Sequence, residues 1–185
     1  SLAVIGALIE RYADLPDDWA RSAFVGALAA DPHLTMSAVL ERSEADSFEG
    51  LVREMATRVG RSRDKDQVAR FVIVLGAHIE DRPHLVEAAL LQLVDSLPGG
   101  FMPTPSTELQ GALASLLSTD EVEVAIAVLP FASRWDTGGG LGELADKLSV
   151  RLTAVLDDEE ESPQRRAQCL TTLSSRSTPS AQVPS

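Results

Sequence analysis

The 185 residues include 16 lysines and arginines against 28 aspartates and glutamates, which gives a formal net charge of −12. Such a charge repels phosphate backbones and argues against nucleic acid as a partner, and the longest early apolar run, Leu2 to Ile9, is far shorter than the roughly 20 residues of a membrane span. With 44% hydrophobic and 24% charged residues, the composition is typical of one folded globular domain, and the single cysteine, Cys169, excludes an internal disulfide.

Apolar residues recur at helical spacing along most of the chain. In chain order, the patterns predict helices over Leu2 to Tyr12, Trp19 to Leu28, Phe48 to Val59, Val68 to Ile79, Val86 to Leu97, Leu109 to Leu117, Val122 to Leu129 and Leu141 to Leu156, and a final helix around Cys169 and Leu173. The β-branched residues Val122 and Val124 also suit a strand. We predict a helix there because no second alternating run offers a strand a partner.

The links between these helices are short, which favours antiparallel neighbours. One predicted break runs from Gly60 to Arg63, and only residues 98–105 and 137–140 resemble longer loops. Counting gives about ten helices in five hairpins with a period of roughly 35 residues, which is typical of a helical repeat array. The hairpins begin near Leu2, Leu34, Asp64, Ser106 and Leu141. The predicted fold is therefore an all-α solenoid of about five antiparallel helix pairs, over residues 1–176, with a disordered or extended tail over 177–185.

Similar residues recur where helices begin, as in WARSAF at 19–24 and VARFV at 68–72. From Leu2 to about Ser174 the chain resembles the HEAT repeat family, whose units are paired helices with a loose apolar pattern. Tetratricopeptide repeats have a similar length, but their paired aromatic and small-residue signature is not found at matching positions. The resemblance implies a module that binds protein or separates domains.

One segment carries a narrower resemblance. The run from FEGLV at 48–52 through Val59 and Gly60, with DQVAR at 66–70, is similar to the HEAT-like segment of large planctomycete-type haem-binding multidomain proteins. In those proteins the repeats lie between a propeller-like and a cytochrome-type domain, and haem is attached at a Cys-x-x-Cys-His motif. This sequence lacks the motif, so we expect neither haem nor another cofactor. The resemblance implies an extracytoplasmic compartment, and without it a cytoplasmic one is expected.

The chain opens with Ser1 and enters a helical pattern at once, so we interpret it as a fragment of a larger multidomain protein. Its partners are then expected to be another protein or the neighbouring domains of the same chain. The leading hypothesis is a non-catalytic interaction or spacer module. The alternatives are a helical accessory domain of a redox or other enzyme whose active site lies elsewhere, and a helical bundle that encloses a small ligand.

Two groups of residues are candidate partner contacts. The first group lies in a cluster of basic residues between Arg53 and Lys65, in an otherwise acidic chain, and such a cluster suits an acidic partner. Cations at a helix C-terminus also stabilise that helix, which is the alternative, structural role. The second lies in the proline-rich loop, where apolar side chains are either tucked under the loop or offered to a partner. The candidates are Arg58, Arg61 and Arg63 in the first group, and Phe101 and Met102 in the second.

Other motifs favour ordinary structural roles, so no catalytic, cofactor-binding or metal-binding residue is predicted. The histidines and acids between His78 and Glu87 straddle a predicted helix end, which is poor spacing for a metal site. The glycines from Gly138 to Gly142 lack the lysine and hydroxyl of a phosphate-binding loop and suit a flexible connector. The run from Asp157 to Glu161 lacks calcium-loop spacing and suits a solvated linker. Cys169 suits a buried structural thiol.

Overall fold

A computed structural model describes residues 2–12, 15, 18–158 and 161–177. Among these residues every regular element is helical, which confirms the all-α prediction. The helices are α1 (Leu2–Tyr12), α2 (Asp18–Leu28), α3 (Pro32–Leu40), α4 (Glu49–Ser62), α5 (Lys65–Ala77), α6 (Pro83–Ser96), α7 (Thr107–Ser118), α8 (Val122–Trp135), α9 (Gly142–Asp157) and α10 (Pro163–Ser177), with a 3-10 turn at Ala45–Phe48. No described helix combines the length and apolar character needed to cross a membrane.

Local sequence explains where several helices begin. The carboxylate of Asp64 caps α5 by accepting hydrogen bonds from the backbone N–H groups of Asp66 and Gln67, each at 3.0 Å. The hydroxyl of Ser106 caps α7 by accepting from the backbone N–H of Leu109 at 3.1 Å. Helices α3 and α6 begin with proline, whose fixed φ and missing N–H suit the first helical position.

Helix contacts follow two series along the chain. In the first, α1 contacts α3, α3 contacts α5, α5 contacts α7 and α7 contacts α9. In the second, α2 contacts α4, α4 contacts α6 and α6 contacts α8, while consecutive helices such as α7 with α8 and α9 with α10 also touch. The apolar stripes meet in a buried core that extends from Ile5 in α1 to Cys169 in α10. Most of the described helices therefore pack both against a neighbour in sequence and against a helix two positions away.

The predicted break beginning at Gly60 is wrong, because α4 continues through Gly60 to Ser62. Gly60 is a contact residue: a Cβ added there would lie 2.5 Å from the Cβ of Ser96 on α6. Gly60 thus allows α4 and α6 to approach closely inside their helical regions. The helix ends at Ser62, and the next residue, Arg63, takes a left-handed conformation with φ 55°.

The predicted helix at Val122 is confirmed, but it extends beyond Leu129 to Trp135 and passes through Pro130. A proline inside a helix removes one backbone hydrogen bond. The helix continues because its last turns carry two buried aromatic rings, Phe131 and Trp135, stacked with centroids 4.5 Å apart. At the other end of the chain, the tail predicted over 177–185 begins one residue too early, because Ser177 is the last residue of α10. Residues 178–185 of that predicted tail lie outside the described residues.

Candidate functional site

The basic cluster extends from Arg53 on α4, through the turn after α4, to Lys65 at the start of α5. Two of its arginines are paired within the helix: Arg53 with Glu49 at 2.7 Å and Arg58 with Glu54 at 3.1 Å. Arg61, Arg63 and Lys65 are exposed, and their side chains make no hydrogen bond or ion pair with any described residue. The uncompensated positive charge is therefore concentrated at the C-terminal end of α4.

Arg58 and Arg61 share a cleft of about 540 Å³ where α4 lies beside the link between α2 and α3. The cleft has an apolar side, to which Ala29, Pro32 and Val59 contribute. The remaining lining residues are polar: Glu54, Ser62 and Gln67. We call this feature the basic cleft, defined by these eight lining residues. It has room for a few side chains of a ligand and offers them both guanidinium groups and an apolar wall.

Arg63 has an unusual backbone conformation for its residue type. It is the one non-glycine residue with positive φ in the described part of the chain. The left-handed position after a helix is usually glycine, because a Cβ is disfavoured there. The backbone N–H of Arg63 donates to the carbonyl of Gly60 at 3.4 Å, which helps to close the end of α4.

The acidic residues next to the cluster accept hydrogen bonds from the backbone and side chains of the chain itself. Asp64 caps α5, and Asp66 accepts a hydrogen bond from the hydroxyl of Thr104. Neither forms an ion pair with Arg61 or Arg63. The cations are thus not neutralised by direct contact with their nearest acidic neighbours.

The loop with Phe101 and Met102 is attached to the same region. The backbone N–H of Thr104 donates to the carbonyl of Lys65 at 3.3 Å, so the loop lies against the start of α5. Phe101 is half-buried against the core, and its carbonyl accepts a hydrogen bond from the indole N–H of Trp135 at 2.9 Å. Met102 is 38% exposed. Of the two predicted loop contacts, Phe101 therefore holds the loop in place and Met102 is presented to solvent.

The histidines and acids between His78 and Glu87 occupy separate places. His84 lies 3.1 Å from the carboxylate of Asp46, while His78 and Asp81 line a different depression of about 360 Å³. Within the described ranges, no group of three or more histidine, cysteine and acidic side chains has a geometry suited to a metal ion. Burial raises the pKa of Glu87 on α6, and the nearby charge of Glu123 raises it further.

Two other motifs make internal contacts. In the glycine-rich loop, the carboxylate of Asp136 accepts from the backbone N–H groups of Gly138 at 3.1 Å and Leu141 at 3.0 Å, so these two donors are used within the loop. Sequence reasoning missed Asp136, although an aspartate before a glycine run is typical of such a turn. Cys169 is buried, and burial raises the pKa of its thiol, which disfavours the nucleophilic thiolate.

Glu161 of the acidic run and Glu123 on α8 both lie near Arg165 at the start of α10. Glu161 pairs with Arg165 on α10 at 3.2 Å, while Glu159 and Glu160 lie outside the described residues. The Nε atom of Arg165 also lies 2.9 Å from the carboxylate of Glu123 on α8, which is an ion-pair distance although the atoms are not aligned as a hydrogen bond. This pair links α8 to α10.

Sequence reasoning also missed an apolar groove of about 640 Å³ formed by α6, α8 and α10. Leu91 and Val94 contribute from α6, Ile126 and Pro130 from α8, and Thr171 and Thr172 from α10. The signal in the sequence is that Leu91 directly follows Leu90, so the two cannot lie on the same face of a helix. Leu90 is buried and Leu91 is 40% exposed.

Comparison with known proteins identifies no family for this chain. No family model matches it, and neither the curated proteins nor the solved structures contain a match. Function is therefore inferred from the contacts and charges of the chain itself.

Proposed function

We propose that the chain is a HEAT-like helical-repeat module that performs no catalysis and binds another protein or separates neighbouring domains of a larger chain. One observation carries this proposal: most side-chain hydrogen bonds between described residues that are distant in sequence join positions 31 to 42 residues apart. Arg42 bonds to Gly6 at an offset of 36 residues, Thr57 to Gln92 at 35, and Trp135 to Phe101 at 34. These offsets agree with the period of roughly 35 residues predicted from the hairpins.

The two series of helix contacts support the same proposal. A stack of antiparallel helix pairs places each helix beside its own partner and beside the equivalent helix of the next pair. Contacts between helices two positions apart and between consecutive helices are what this arrangement requires. Such an array buries a continuous core and leaves the outer faces of both helix series exposed along its length. Extended partners bind to faces of this kind.

A cross-linking scan tests the proposal. A photo-reactive amino acid is placed, one position at a time, at exposed apolar residues and the chain is expressed in the organism that encodes it. The positions are Val4 and Val150 on the first helix series, Leu91 on the second, Leu170 on α10, and Met102 in the loop. We expect discrete cross-links, to one protein or to a neighbouring domain, from one face and not from the other. An absence of discrete cross-links at all positions would contradict an interaction or spacer role.

A further inference from the structure

We propose that the basic cleft and the turn that follows α4 bind an acidic segment of the partner protein, with Arg61 in the cleft and Arg63 in the turn, outside the cleft lining, as its main contacts. This inference rests on the proposed interaction role and specifies the partner's chemistry. The segment would present aspartate or glutamate side chains to the arginines and a small apolar side chain to the wall of Ala29, Pro32 and Val59. Guanidinium groups suit this role because they bind carboxylates through two parallel hydrogen bonds.

The charge distribution favours this occupant. The chain as a whole carries −12, so an acidic segment is repelled except where a local cluster of cations overrides that field. Arg53 and Arg58 are already paired within α4, whereas Arg61 and Arg63 have no acidic partner among the described residues. A nucleic acid is disfavoured because its long phosphate backbone would also meet the acidic remainder of the surface.

The backbone conformation of Arg63 supports binding of an external group independently of the charge distribution. A cation in the last turn of a helix stabilises the helix dipole, and Arg61 already fulfils that role inside α4. Arg63 lies one residue beyond the helix, in a backbone conformation that glycine would adopt with less strain. No described residue bonds to its side chain, so the fold itself gives no reason for arginine at this position. The strain is explained if the guanidinium binds a group outside the chain.

The binding test uses the whole chain and a fluorescently labelled peptide that repeats the sequence Glu-Leu-Asp-Ala. The same peptide with glutamine and asparagine in place of its acids, and an oligonucleotide of equal charge, are the competing probes. We expect the acidic peptide to bind best, with an affinity that falls as salt rises. Arg61→Ala and Arg63→Ala are each expected to weaken binding about tenfold. A matched control, Arg11→Glu with Lys147→Glu, carries the same change in net charge as Arg61→Glu with Arg63→Glu and is expected to leave binding nearly unchanged.

Two substitutions of Arg63 separate binding from folding. Arg63→Ala and Arg63→Gly both remove the guanidinium, but only glycine relieves the backbone strain. Both are therefore expected to weaken peptide binding alike, while Arg63→Gly alone raises the melting temperature, by roughly 2–4 °C.

Failure of the acidic peptide to bind, or tighter binding of the oligonucleotide or of the amide peptide, would overturn the inference. So would a loss of peptide affinity in the control variant equal to that in Arg61→Glu with Arg63→Glu, or a lower melting temperature in Arg63→Gly. The cross-linking scan is independent of these results. Discrete cross-links together with no peptide binding would leave an interaction module whose partner binds elsewhere, whereas failure of both would remove the proposed function as well.

Discussion

Gly76 on α5 faces Ala112 on α7 so closely that a Cβ added at Gly76 would lie 2.8 Å from the Cβ of Ala112 and 3.0 Å from its Cα. Gly60 and Ser96 have the same relationship between α4 and α6. Each pair joins helices two positions apart, one pair in each contact series. Glycine at these positions therefore sets how closely neighbouring helices of a series approach.

Gly76→Ala is expected to reduce the free energy of unfolding by about 1–3 kcal/mol, because α5 and α7 must separate to accommodate the methyl group. The matched control is Gly111→Ala on α7, where an added Cβ meets nothing within 4 Å. That change is expected to stabilise the fold by about 0.5–1 kcal/mol, since alanine is the better helix former. Urea denaturation measures both. Stabilisation of similar size in both variants would show that α5 and α7 are not in close contact.

Arginines connect one helix end to the next along the chain. The guanidinium of Arg82 donates to the carbonyl of Leu40, the last residue of α3, at 3.4 Å, and to that of Arg42, in the turn after α3, at 2.7 Å. Arg82→Met keeps most of the side-chain volume but removes these bonds, and is expected to destabilise the fold by about 1.5–3 kcal/mol. Arg70→Met, at an exposed position of α5, is the control and is expected to change the free energy of unfolding by no more than about 0.5 kcal/mol. Equal unfolding midpoints for the two variants would refute the role of Arg82.

Trp135 fixes the loop that carries Met102. Replacement by phenylalanine keeps the ring stack with Phe131 but leaves the carbonyl of Phe101 without its indole donor, and about 1–2 kcal/mol of stability should be lost. In the wild-type chain, the indole proton of Trp135 is expected to exchange slowly with solvent in NMR spectra. Phe101→Leu retains the carbonyl, so slow exchange should persist in that variant. Rapid exchange of this proton in the wild type would place the loop elsewhere.

The raised pKa of Glu87 predicts a pH-dependent contribution to stability. A raised pKa means that the folded chain holds this proton more tightly than the unfolded chain does, so the contribution is lost as pH rises from 4.5, the ordinary value for glutamate, through the higher pKa of the folded state. Glu87→Gln should therefore raise the melting temperature at pH 7, with an advantage that shrinks as pH falls towards 4.5.

Glu108 supplies a control of opposite sign. Its own backbone N–H and the side chain of Ser106 lower its pKa, so its contribution is present at neutral pH and is lost on acidification. Glu108→Gln should consequently lower the melting temperature at pH 7. If both glutamine variants shift the melting temperature in the same direction at pH 7, the environment assigned to one of the two carboxylates is incorrect.

Periodicity predicts most of the described helices, because the residues that repeat at helical spacing, such as Leu109, Leu113 and Leu116, are those that the core buries. Helix α3 is implied only by the hairpin count, which places the start of a hairpin near Leu34. Glycine and proline were less informative, since their effect depends on tertiary neighbours. The sequence predicts a break at Gly60, which instead packs against Ser96 inside α4, and Pro130 lies inside a helix that continues to the buried ring of Trp135.

The candidate site was only partly predictable. The basic cluster is visible in the sequence because its members lie within one helix and the following turn. The apolar wall of the cleft is not, since Ala29 and Pro32 come from a distant link that only the packing of α4 brings alongside. The left-handed conformation of Arg63 and the attachment of Thr104 to Lys65 likewise depend on how the helices are arranged.

Nuclear Overhauser effects in the isotopically labelled chain show whether equivalent positions about one repeat apart are in contact. We expect cross-peaks between the α protons of Gly76 and the methyl group of Ala112, between Gly60 and the β protons of Ser96, and between the indole proton of Trp135 and residues next to Phe101. A spectrum in which the assigned helices are present but these cross-peaks are missing would contradict the repeat arrangement, and with it the proposed function.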